Sequence, residues 1–70
     1  MEDAQVVNQI RKLRFMHGEM TQAELADKVG VTRQTISAIE AAKYSPSLEL
    51  AFKIATVFDR PLEEVFTYKG

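Results

Sequence analysis

Seventy residues with 46% apolar content and a formal net charge of −1 describe one small domain, residues 1–70, with a modest core. With no cysteine, disulfides and thiolate metal sites are excluded, and the single histidine, His17, cannot complete a metal centre or a nucleophile–base pair. No apolar run approaches a membrane span, and Met1-Glu2-Asp3 opens the chain without the basic segment of a secretory signal. A cytoplasmic protein without metal or cofactor is expected, and a chain this short gains from a partner subunit.

The first helix is expected from about Asp3 to about Phe15 or His17, with Val6, Ile10 and Leu13 as its apolar stripe. Gly18 ends it by taking a positive φ. The second helix has an explicit start: Thr21 as N-cap, Glu24 three residues on, and Met20 able to pack on Leu25. It buries Leu25, Ala26 and Val29 and stops at Gly30. The third helix begins at once, with Thr32 as N-cap and Val31 facing Ile36, and continues to about Ala42. Only Gly30-Val31-Thr32 separates the two, a glycine-led turn that sets helices at a steep angle and defines a helix-turn-helix over about 21–42.

Lys43-Tyr44-Ser45-Pro46 is a loop, and Ser47 caps a fourth helix running through Leu48, Ala51, Ile54 and Ala55 to Phe58. Pro61 suits the first position of a short fifth helix carrying Leu62, Val65 and Phe66. Phe66-Thr67-Tyr68 is rich in strand formers but too short to make a sheet alone. The expected fold is all-α: five helices, no dedicated sheet, and a short extended C-terminal tail.

At about 100° per residue, Ile36, Ile39 and Glu40 fall on the inner side of the third helix, and Gln34, Ser37, Ala38 and Ala41 on the outer side. Arg33 projects from the first turn. That outer face is short-chained and free of acid, as close approach to a DNA groove requires. Arg33 can pair bidentately with guanine and Gln34 with adenine, Ser37 can donate or accept, and the Ala38 methyl can meet that of thymine. The composition is also that of an ordinary solvated face; the doubled cap-and-staple arrangement around the glycine-led turn brings the reading of double-stranded DNA to equal weight with it. Between Val31 and Ser47 the charges are Arg33, Glu40 and Lys43, so a locally basic surface can sit on a nearly neutral body.

The runs Thr21-Gln22-Ala23-Glu24-Leu25-Ala26 and Val29-Gly30-Val31-Thr32-Arg33-Gln34-Thr35-Ile36-Ser37-Ala38-Ile39-Glu40 resemble the Cro/C1-type (XRE) helix-turn-helix family. Lys43-Tyr44-Ser45-Pro46-Ser47-Leu48 and Arg60-Pro61-Leu62-Glu63-Glu64-Val65-Phe66 are similar to the small stand-alone cytolysin-repressor-like regulators. The resemblance implies a compact five-helix lambda-repressor-like DNA-binding domain, acting as a dimeric repressor on a palindromic operator. By position it implies phosphate contacts from Gln22, Thr32, Lys43, Tyr44 and Ser45, base contacts from Arg33, Gln34, Ser37 and Ala38, and an ion pair between Arg14 and Glu40. A pair there gives Glu40 a reason to sit on the inner side, since an unpaired buried carboxylate is costly. Ala41-Ala42 stands where the family usually has Asn-Gly, leaving the end of the third helix open. Phe15 and Met16 occupy positions where charged residues are common.

Other signals are weaker. Glu63 and Glu64 are adjacent, so they diverge and serve as helix-dipole partners rather than an acid/base pair. No Gly-x-Ser-x-Gly or phosphate-cradling loop is present, and no enzyme is expected. Phe15, Met16, Phe52 and the segment through Leu62, Val65, Phe66 and Tyr68 have two readings. They cover a small core, or Leu62, Val65, Phe66 and Tyr68 form a homodimer interface. A protein partner on that same surface, as in an antitoxin or co-regulator, is the alternative.

Overall fold

The computed structural model describes residues 5–69. In chain order the elements are β1 (Val6–Asn8), α1 (Ile10–Met16), α2 (Gln22–Val29), α3 (Arg33–Glu40), α4 (Leu48–Val57), α5 (Leu62–Val65) and β2 (Phe66–Tyr68). The helices enclose one core of Ile10, Leu13, Leu25, Val29, Ile36, Ile39, Leu50, Ile54, Phe58 and Val65, among others, with Met20, Val31 and Leu62 packed at its edge.

The starts of the central helices form as their caps dictate. Thr21 Oγ1 accepts from the Glu24 N–H at 3.0 Å, and Glu24 Oε1 accepts from the Thr21 N–H at 2.8 Å. The Thr21 N–H, and after it the Thr21 hydroxyl, favour the charged carboxylate and hold the Glu24 carboxyl below its ordinary value. Thr32 and Ser47 cap α3 and α4 the same way, accepting from Thr35 and Leu50. Gly30 closes α2 in the left-handed region, φ 79°.

Three expectations need correction. The first helix begins at Ile10, not near Asp3, which lies outside the described residues. Val6, Val7 and Asn8 instead form a strand antiparallel to Phe66-Thr67-Tyr68, pairing Val6 with Tyr68 and Asn8 with Phe66. The extended tail is therefore half of a two-stranded ribbon. Val6 still packs against the core, so an apolar spacing that fits a helix is met equally by a strand ending in a corner. The fourth helix buries Leu50, Ala51, Ile54 and Ala55, while Leu48 at its start stands 67% exposed.

The third correction concerns the end of α3, which stops at Glu40. The Lys43 N–H donates to the Ala38 carbonyl at 2.9 Å and the Ala42 N–H to Ile39 at 3.0 Å, a closure that puts Ala42 at φ 58°. A Cβ in that region is strained by about 1 kcal/mol. The substitution Ala42→Gly is thus expected to stabilise the fold by about 1 kcal/mol, raising the melting temperature by roughly 4–8 °C in a calorimetric scan. An unchanged or lower transition would contradict this account of the helix end.

Candidate nucleic-acid interface

α3 presents its outer side as the wheel indicates. Arg33 and Gln34 are exposed, Ser37 and Ala38 half-buried at the margin, and Ile36 and Ile39 face inward. The helix carries no acid in its first turn, and its only carboxylate, Glu40, lies at the far end. The Thr32 hydroxyl is already engaged as N-cap and lies 3.0 Å from that of Thr35. Lys43, Tyr44 and Ser45 are exposed on the loop that follows α3.

Glu40 does not reach solvent freely. Its side chain is 10% exposed and that of Arg14 15%. Arg14 Nε donates to Glu40 Oε2 at 2.7 Å and Nη2 to Oε1 at 3.1 Å, a two-pronged pairing. Arg14 Nη1 also donates to the Met20 carbonyl at 2.7 Å. The same carboxylate accepts from Gln22 Nε2 at 3.2 Å, which holds the first side chain of α2 over the end of α3. One cluster thus joins α1, α2 and α3 and neutralises the one carboxylate that α3 carries. Gln22 retains a second amide N–H and its carbonyl oxygen for other partners.

The proposed interface set divides. Val65 is 0% exposed and serves the protomer's own core, whereas Phe66 is buried in that core but for an edge that reaches the surface groove described next. Leu62 is half-buried, and Tyr68 is 71% exposed. Tyr68 and Leu62 line an apolar groove of about 340 Å³ together with Val6, Pro46, Leu48 and Phe66. Phe52, one turn beyond Leu48 on α4, is also exposed. Phe15 and Met16 are exposed on α1, remote in sequence from that groove. His17 lies edge-on to Phe58, with ring centroids 5.2 Å apart, and its Nδ1 bonds the Leu13 carbonyl, a structural placement. Among the described residues no group of three or more His, Asp or Glu is placed to hold a metal, and no helix is long and apolar enough to cross a membrane.

Asn8 was not singled out by the sequence. Its Oδ1 accepts from the Ile10 N–H at 3.1 Å, and its Nδ2 donates to the Ile39 carbonyl at 2.8 Å. An Asn two residues before the first buried apolar position is a turn signal, and it marked where α1 begins.

The family model described as helix-turn-helix matches residues 10–65. The chain belongs to the helix-turn-helix family, in its Cro/C1-type form. It is 52% identical over 62 residues to an uncharacterized HTH-type transcriptional regulator of Methanocaldococcus jannaschii, covering 89% of this chain and 92% of that one. An uncharacterized HTH-type transcriptional regulator of Bacillus subtilis, YgzD, is 48% identical over 59 residues, covering 84% and 88%. A crystal structure of a Bacteroides fragilis protein shares the fold with a TM-score of 0.75 at 24% identity, covering 89% of this helix-turn-helix chain and 98% of its own.

Proposed function

We propose that this chain is a DNA-binding transcription regulator that represses by occupying a palindromic operator as a homodimer, with α3 in the major groove. The observation that carries the reading is the acid-free outer face of α3, with Arg33 and Gln34 exposed and Glu40 neutralised by Arg14. The relatives named as HTH-type transcriptional regulators support the same class. Arg33, Gln34, Ser37 and Ala38 read base edges, and Gln22, Thr32, Lys43, Tyr44 and Ser45 fix the backbone. For Thr32 the cap leaves the hydroxyl partly occupied, so its contribution is the smallest of these. A protein of this charge has few cations to neutralise phosphates, and a shallow salt dependence follows.

The second copy docks through Leu48, Leu62 and Tyr68 over the exposed edge of Phe66, and not through Val65, which lies inside its own core. A two-fold dimer places two recognition helices about 34 Å apart, one turn of duplex. Substituting Leu48→Asp, on a side chain with no core role, is expected to keep the fold and shift sedimentation from dimer to monomer, with a melting transition lowered only by what the partner contributes and no longer dependent on protein concentration. A wild type that sediments as a monomer would favour a different protein on this face, the co-regulator reading.

Selection of bound duplexes from a random pool tests the function. Recovery of a two-fold symmetric site carrying two chains supports it. Failure to enrich any sequence refutes it.

A further inference from the structure

We infer that Asn8 is a positioning residue for the recognition helix, setting the pose of α3 against the β1–β2 ribbon; the inference rests on the DNA-reading role proposed for α3. The last carbonyls of a helix lack partners within it, and those of α3 are met from outside. Ile39 is the case in point. Its carbonyl accepts the Asn8 Nδ2 at 2.8 Å as well as the Ala42 N–H at 3.0 Å. Asn8 itself has little freedom. Its backbone lies in β1 opposite Phe66, its Oδ1 takes the Ile10 N–H, and the next residue's N–H bonds the Val65 carbonyl at 2.9 Å. The amide side chain is therefore anchored on both sides before it reaches α3.

A second tether holds the same end of the helix. The Arg14 and Gln22 bonds to Glu40 come from α1 and α2, whereas Asn8 comes from the ribbon. The buried Ile36 and Ile39 hold α3 against the core, and two tethers from different elements set its rotation at that end more narrowly than either does alone. For a helix of eight residues reading base edges, a small rotation moves Arg33 and Gln34, at the opposite end, out of bidentate register. Loss of the Asn8 tether thus removes discrimination before it removes attraction to phosphates.

The chemistry allows the two functions of Asn8 to be separated. In Asn8→Ser the hydroxyl can still accept from the Ile10 N–H but is too short to reach Ile39. In Asn8→Asp the acceptor is kept and the donor lost, at the cost of added negative charge. Both variants should fold. The first readout needs no DNA: amide hydrogen exchange at Ala42 and Lys43, which close α3, is expected to quicken about fivefold in Asn8→Ser, the loss of one ordinary hydrogen bond. The second is the ratio of affinities for the selected duplex and a scrambled one, expected to fall about fivefold in Asn8→Ser with scrambled-duplex affinity unchanged. Asn8→Asp should show the same fall in ratio over a uniformly weaker affinity. A merely structural role would lower both affinities together and leave the ratio intact. Unchanged exchange and an unchanged ratio in a wild type that discriminates between duplexes would overturn the inference alone. A wild type that does not discriminate would overturn the DNA-reading role instead, and normal exchange in Asn8→Ser would then dispose of the tether as well.

Discussion

Replacing Glu40 by alanine is expected to cost about 3 kcal/mol of stability, the low end of what breaking a buried ion pair costs. The low end applies because both side chains keep some solvent contact. The loss is large because it leaves the Arg14 guanidinium with only the Met20 carbonyl, in a site with little water, and also removes the partner of Gln22. A domain of this length has about 4–10 kcal/mol in all. Thermal unfolding should therefore move down by roughly 12–24 °C. The double variant Arg14→Met with Glu40→Leu should regain most of that loss, since no charge is left buried. A Glu40→Ala protein melting within two or three degrees of wild type, on the order of half a kcal/mol, would mean that the pair is a solvated contact of little consequence.

The second large effect concerns base reading. Removing the guanidinium in Arg33→Ala should reduce discrimination at one base pair of each half-site by about 1–3 kcal/mol, while the preferences at other positions persist. Lys43→Ala should instead weaken binding to all duplexes by a similar factor and reduce the salt slope by about one. The two variants thus differ in kind, and a titration against single-base variants of the selected site separates them. Equal behaviour of both variants would mean that Arg33 is not at a base edge.

The core of the motif was legible because its signals are local. Thr21 with Glu24, Gly30, and Thr32 each act within one helical turn, and each forms the bond or backbone angle that its residue type favours. The inner placement of Glu40 was likewise visible from the wheel, and Arg14 is the cation that meets it. The ribbon was not legible. Its pairing joins Val6 to Tyr68 across nearly the whole chain, and each strand is three residues long, so neither segment announces the other. Val6, Ile10 and Leu13 then mimic a helical stripe although a corner at Gln9 interrupts it. Val65 and Phe66 were ambiguous for the same reason. Whether an apolar side chain at the end of a small domain faces its own core or a partner depends on the strand that pairs beneath it, and that strand was unseen.

The most direct test of a groove-reading α3 is to follow backbone amide signals of the labelled protein by NMR as the selected duplex is added. The account predicts the largest shifts along Arg33–Ala38, with further changes at Gln22 and Lys43–Ser45, and little at Phe15 and Met16. Perturbation concentrated on α1 or on the Leu48–Tyr68 groove, with α3 unmoved, would contradict it.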